Sequence, residues 1–523
     1  MWVKRFLSWV IIVVFIAVIG WYTVNNFSLV SDSVQKYTLN ELTVRDLKTD
    51  VTEKFQSDDL YAKDTLINLN GLYGRVSLRR FYNQTLLLKN NSLLIKTGRI
   101  QNISKKTQSI KNLDNLVSSN KGKFLFALYP MSVDINGVLL PEGKTVEILD
   151  DAKELLAQLA QSGIATLDLQ PELASTPEQV SENFYRTDHH WKPTAAYSAF
   201  LSLTEWIQKQ YPGQDIDSPA FDSQLWTVHE IPNQFLGYLG KRVGQYFAGL
   251  DDLQWMTPNF ETELSVYQPK FRTFRKGSYE NIFLDEQYMK PGGDKLHTDH
   301  YNIFIPTSNM IIRNPHAPSE LKVLIIGDSF SRPLATFFST VFQQVEFIDP
   351  RNYEKTSILE YVDRSCSDIV IYGVSVSTLA DGKYFSFSDS SDLLKTDEKK
   401  FVRNNTSFTN DAKDSNYNHY PFYKSFSDNL LFTLRIPKII DNVGNADAFT
   451  VTLYDTVNKK MIDEFIFDID LCNRSGNCQW TFETPSEGSQ NLRLLVYSGL
   501  SGQTKGNSLS FSDVSLVQYD VKK

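Results

Sequence analysis

Leu321-Lys-Val-Leu-Ile-Ile326 runs directly into Gly327-Asp-Ser-Phe330. Five branched apolar residues in six, stopped by glycine, read as a strand buried on both faces. A serine just past such a strand sits at the carboxyl edge of a sheet, where a following helix can offer its free N–H groups. Its hydroxyl is a weak nucleophile and needs a base. The same Gly-Asp-Ser is also an ordinary way to start a helix, since Asp and Ser both cap well.

The flanks repeat the grammar. Lys123 to Pro130 and Ile164 to Leu169 read as strands, with helical spacing over Val146–Gln161 and Thr194–Tyr211. After the serine, Pro333–Phe342 reads as a helix, Val345–Asp349 as a strand, Ser357–Asp363 as a helix and Asp368–Tyr372 as a strand. Strands alternating with helices predict an α/β parallel sheet in three layers. Residues 212–320 read as a long insertion with many aromatics and few periodic segments.

The second chemical signal is Tyr185-Arg-Thr-Asp-His-His-Trp-Lys-Pro193, in a loop before a helix. A carboxylate beside an imidazole can orient it as a base. The same residues suit a metal, with His297-Thr-Asp-His300 as a possible partner cluster. They also suit a polar helix start. Three or four ligands are needed for zinc, and no second tight cluster is evident, so no metal and no cofactor is expected.

Composition bounds the rest. The chain has 523 residues and net charge −8, which suits several domains and argues against nonspecific nucleic-acid binding. Phe6 to Tyr22 is apolar except for Ser8 and Gly20, follows Lys4 and Arg5, and carries Trp9, Trp21 and Tyr22 near its ends. At ~1.5 Å per residue this run just crosses a bilayer core. Its flanking charges predict a single-pass anchor with a cytoplasmic N-terminus and an extracytoplasmic body. A cleaved signal peptide is the competing reading, but no small-x-small site follows the run. Mean hydropathy of −0.29 rules out a polytopic protein.

The predicted layout is a tip and anchor at 1–26, a stalk with lead-in helices at 27–75 and a catalytic domain at 76–385. A polar linker at 386–414 and a β-sandwich at 415–523 follow, the last from short alternating runs between polar turns. Trp480, Tyr497 and Tyr454 are either sugar platforms or core aromatics. Cys472 and Cys478 bracket a five-residue loop and are expected to form a disulfide outside the cytoplasm, leaving Cys366 as a bystander.

Asp188-His-His-Trp191 followed much later by Gly327-Asp-Ser-Phe330 resembles the SGNH-hydrolase-like family of bacterial exopolysaccharide O-acetyltransferases. That family includes the alginate-acetylation proteins and the proteins named for a DHHW motif. Ordinary secreted SGNH esterases place the serine first; here the Asp-x-His block precedes it, as in the alginate-type group. The resemblance spans roughly residues 40–385 and takes in Leu69–Tyr73, Phe235-Leu-Gly-Tyr-Leu-Gly-Lys241, Asp251-Asp252 and Asp349-Pro-Arg351.

It implies Ser329 as nucleophile, His190 as general base and Asp188 as its orienting carboxylate. Arg351, His189 and Trp191 are implied as substrate-side residues, although Trp191 also suits loop packing and Arg351 a surface ion pair. Asp328 could cap the helix. No extra oxyanion donor is placed by the motif beyond the candidate Gly373, and Val374-Ser-Val-Ser377 stands where relatives often carry a Glu-Arg pair. The expected activity is O-acetyl transfer to a surface polysaccharide or cell-wall glycopolymer, with acetyl groups supplied by a polytopic membrane acyltransferase. The alternatives are an O-acetylesterase and a non-catalytic glycan-binding scaffold.

Overall fold

The structure is a computed structural model. It describes residues 62–385 apart from 215, 269–272, 305–308, 353–357 and 366, the strands between 395 and 521, and scattered positions before residue 50. The apolar run 6–22 lies almost wholly outside the described residues, as does the Cys472–Cys478 pairing. Among the described residues no helix is long and apolar enough to cross a membrane.

In chain order the main sheet is built from β1 (Lys123–Tyr129), β2 (Thr166–Asp168), β3 (Leu264–Gln268), β4 (Thr273–Gly277), β5 (Met310–Arg313), β6 (Ser319–Gly327), β7 (Phe342–Ile348) and β8 (Ile369–Ser375). The spatial order is β2-β1-β8-β6-β7-β5-β3-β4. The pairs from β2 through β7 are parallel. The pairs β7–β5, β5–β3 and β3–β4 are antiparallel.

The parallel half matches the sequence reading. The chain leaves β6 to β7 on one side and then crosses back to β8 on the other. Crossovers of this kind are right-handed, so the helix after β6 and the helix after β7 fall on opposite faces. The first, α4 (Ser331–Phe338), packs with α3 (Pro193–Gln210). The second, α5 (Ile358–Ser365), packs with α1 (Ile103–Ser119), which also meets α2 (Ile148–Gln161). Leu324, Ile325 and Ile326 are fully buried, as a strand covered on both faces requires.

Several expectations are corrected. The 212–320 segment is not an irregular insertion. It supplies β3, β4 and β5, which extend the sheet, and a hairpin of Trp226–Phe235 with Asp251–Pro258. Strands of four or five residues are too short for alternation to be read, and Leu264–Gln268 and Met310–Arg313 are buried throughout. The helix after Ser329 ends at Phe338. The Ser339 and Thr340 hydroxyls donate back to the Thr336 and Phe337 carbonyls, and the chain becomes β7 at Phe342. The 386–414 range is not all linker, because Lys395–Arg403 and Thr406–Thr409 pair antiparallel with Val514–Val521 and Ser508–Ser512. Every strand pair beyond residue 395 is antiparallel among the described residues.

Candidate active site

Ser329 follows β6 by two residues, where the strand order reverses and α/β sheets place their ligands. The turn is held by Asp328. Its buried carboxylate accepts from the Phe330 N–H at 3.1 Å, the Ser375 N–H at 2.8 Å and the Thr378 hydroxyl at 2.8 Å. Burial raises the Asp328 carboxyl against the pull of these donors. Ser375 also bonds Ser377 and Thr378, so the Val374–Ser377 stretch clamps the nucleophile turn to the end of β8.

The loop 184–192 joins helix Pro177–Asn183 to α3. The first helix starts with a Thr176/Gln179 capping box and α3 starts with Pro193, a residue suited to a first helical turn. Between them Phe184 bridges Trp191, and the Tyr185 N–H donates to the His190 carbonyl. Asp251 braces the loop: it accepts from the Thr187 N–H and hydroxyl, both at 2.7 Å, and from the Arg186 N–H at 3.1 Å.

These two segments bring Asp188, His190 and Ser329 into one chain of hydrogen bonds. His190 Nδ1 is 2.6 Å from Asp188 Oδ1, and His190 Nε2 is 2.6 Å from Ser329 Oγ. Asp188 Oδ1 also accepts from the His190 N–H and Oδ2 from the Tyr238 N–H at 2.6 Å. Burial alone would raise the Asp188 carboxyl. The neighbouring His190 and His189 imidazoles, with the His190 hydrogen bonds, outweigh it and hold the group well below the usual carboxylate range. An ionised carboxylate can only accept, so His190 carries its proton on Nδ1 and leaves Nε2 to accept from the Ser329 hydroxyl. Asp188 is 1% exposed, His190 7%, and Ser329 is half-buried, so the chain opens outward at the serine.

The remaining sequence candidates part company. Trp191 is fully buried, packed against Tyr129 and Phe330 with ring centroids 5.2 and 5.1 Å away. It therefore packs the loop and does not reach a substrate, which corrects its placement on the substrate side. His189 is 28% exposed, with its ring 3.9 Å from that of His190. Burial, then the adjoining His190 imidazole, pushes it down to about 3 against the pull of Asp188, so it is neutral. Arg351 binds the buried Asp349 through Nε, at 3.1 Å to Oδ1, and through its terminal nitrogen at 2.6 Å, and lies 5.3 Å over the Tyr384 ring. It is 39% exposed and close enough to His189 to act on its charge. Gly373 lies inside β8, paired with Gly327, and is small for another reason: a Cβ there would fall 1.8 Å from the Tyr129 hydroxyl. It offers no oxyanion donor.

Two groups among the described residues have metal-ligand composition, Asp188-His189-His190 and Asp64-Asp294-His297. In the first, both His190 nitrogens face Asp188 and Ser329. In the second, both His297 nitrogens face carboxylates, Asp294 at 2.6 Å and Asp64 at 3.4 Å. His300 instead meets Gln234, 3.1 Å away, so the 297–300 cluster does not join Asp188 as ligands.

The sequence reading missed Tyr301, whose ring stacks on His190, and the roles of Gly237 and Tyr238 in fixing Asp188. The one sequence signal for Gly237 and Tyr238 is the Phe235–Lys241 run itself, which belongs to the family resemblance.

The family model described as the SGNH hydrolase-like domain of acetyltransferase AlgX matches residues 86–264, which include Asp188 and His190 and stop before Ser329. A search of curated proteins finds no match. Among solved structures, Bacillus cereus PatB1 is 19% identical, with a TM-score of 0.47, covering 57% of this chain and 97% of that one. A DHHW family protein from Eubacterium siraeum is 16% identical with a TM-score of 0.45, covering 58% and 95%. The O-acetyltransferase domain of Pseudomonas putida AlgJ is 14% identical with a TM-score of 0.36, covering 57% and 92%.

Proposed function

From the SGNH hydrolase-like domain of the AlgX acetyltransferase type, which this chain carries over residues 86–264, we propose an extracytoplasmic O-acetyltransferase acting on a surface polysaccharide or cell-wall glycopolymer. One observation carries the reading: a single imidazole spans an ionised carboxylate and a half-exposed serine hydroxyl, at 2.6 Å to each.

In this reading Ser329 Oγ attacks the carbonyl carbon of an acetyl ester donor. His190 Nε2 takes the hydroxyl proton and passes it to the departing oxygen as the donor's C–O bond breaks. A sugar hydroxyl then attacks the acetyl-Ser ester. Its proton goes to His190 and returns to Ser329 Oγ. Asp188 stabilises the imidazolium formed in both halves. The backbone N–H groups of the Ser329 turn, at the start of α4, supply charge stabilisation for the tetrahedral oxyanion. His189 and Arg351 line the approach. The apolar run 6–22 anchors the body beside a polytopic acyltransferase that delivers acetyl groups.

Turnover of a chromogenic acetyl ester by the full chain tests the assignment, and undiminished turnover in Ser329→Ala would sink it. Supplying glycan then separates transfer from hydrolysis: acetylated sugar marks a transferase, and free acetate alone marks an esterase. Glycan binding without any turnover would mark a scaffold.

A further inference from the structure

Two hydrogen bonds at opposite ends of an imidazole fix a line and leave the ring free to roll about it. The His190 bonds to Asp188 and Ser329 are of this kind. What stops the roll is Tyr301, on the short turn His300–Ile303. Its ring lies flat on the His190 ring, with centroids 3.8 Å apart and planes 9° from parallel. The other rings around His190, those of His189 and Phe330, meet it at 37° and 46°.

Tyr301 is 3% exposed, and its hydroxyl has no hydrogen-bond partner among the described residues. A buried phenol normally finds one, so the hydrogen-bonding end of this side chain is not what the position uses. The ring face is.

The turn is tied to the elements that carry the rest of the site. The Tyr301 N–H donates to the Asp299 carboxylate at 3.3 Å. Lys241 Nζ donates to the Thr298 carbonyl at 2.7 Å, and Lys241 belongs to helix Tyr238–Val243, whose first N–H holds Asp188. Arg332, in α4 just after Ser329, donates to Asn302 Oδ1 at 3.0 Å. Gln234, which meets His300, also exchanges bonds with Gly292 at 2.6 and 2.9 Å.

We infer that Tyr301 is a positioning residue: its ring face sets the plane of the His190 imidazole so that both ring nitrogens hold their partners at once. It acts through His190, on whose ring it lies. The inference rests on the reading of His190 as the general base.

The experiment compares Tyr301→Phe, which keeps the ring, with Tyr301→Leu, which removes it, in the full chain. Acetyl-ester kinetics give kcat and KM. A proton spectrum of the free protein follows the downfield His190 Nδ1–H resonance, which needs no turnover. Tyr301→Phe should keep kcat within about twofold. Tyr301→Leu should lower kcat roughly 10- to 100-fold with KM little changed, as small misplacements of reacting groups do, and should broaden the Nδ1–H resonance. If Tyr301→Leu does not fold, Tyr301→Met, flexible and without a flat face, serves in its place. Wild-type kcat in the ring-free variant, or an unchanged resonance, would overturn the inference. A wild-type protein without turnover overturns the proposed function instead, while the resonance still decides the role of Tyr301.

Discussion

Gly237 stands against Asp188 so closely that a Cβ added to it would lie 2.3 Å from Asp188 Cβ, 2.5 Å from Oδ2 and 2.7 Å from the Thr187 carbonyl. The glycine lets the start of helix Tyr238–Val243 press onto the carboxylate, and the Tyr238 N–H reaches Oδ2 because of it. Gly237→Ala must push the helix or the loop aside. We expect acetyl-ester kcat/KM to fall by about 10²-fold, the usual cost of an ångström-scale misplacement, with the thermal midpoint reduced by only a few degrees. Kinetics beside a melting curve check this.

Asp188→Asn keeps the shape but lets an amide face His190 Nδ1. The imidazole can then place its proton on Nε2, facing Ser329, and lose its role as acceptor. The expected loss in kcat is on the order of 10⁴, as for orienting carboxylates in Ser-His-Asp sites. Steady-state kinetics measure it.

His189 carries a pH signature. Its imidazole is pushed down to about 3 in the fold, first by burial and then by the adjacent His190 imidazole, whereas the unfolded chain protonates near the ordinary value of ~6.5. The unfolded state therefore binds the extra proton between these limits. Stability from this group is complete above about 6.5 and is lost as pH falls toward 3. His189→Asn, which cannot take that proton, should be relatively more stable against wild type at pH 5 than at pH 8. Denaturant titrations at the two pH values decide it, and equal differences would contradict the assignment.

Trp191→Phe removes part of a fully buried ring stack. It should lower stability by about 1–3 kcal/mol, as a large-to-small core change does. The KM for a glycan acceptor should stay unchanged, because the indole never reaches solvent. A raised KM with unaltered stability would return Trp191 to the substrate side.

Gly373→Ala drives a methyl into Tyr129, whose hydroxyl and Cζ lie 1.8 and 2.2 Å from the new Cβ. Overpacking of a rigid strand crossing costs about 1–3 kcal/mol or more. Tyr129→Val should rescue part of that loss. Chemical denaturation of the two single variants and the double variant measures the coupling.

The sequence was sufficient for the parallel half of the sheet because β6 and β8 are long and apolar enough to be read without partners. It also carried the order of the two motifs, Asp188–Trp191 before Gly327–Phe330. Local spacing could not reveal β3, β4 and β5, which are four or five residues long; β3 and β4 pair as a hairpin, but β5 finds both its partners, β3 and β7, far along the chain. Nor could it tell that Trp191 points inward while His189, two residues before it, keeps an edge exposed. That distinction depends on Tyr129 and Phe330 closing over the indole.

Residue type and motif order thus determined which groups are chemically competent: a serine after a buried strand, an imidazole and a carboxylate two positions apart. Only the tertiary structure decided that they meet, through Asp328 clamping one loop to β8 and Asp251 and Gly237 fixing the other. It also brought Tyr301 flat onto His190 from a stretch without readable periodicity. The physical reason is range. Capping and strand burial act over a few residues and leave a local pattern. A hydrogen bond between residues 190 and 329, or a ring stack between 190 and 301, exists only once packing has closed the chain.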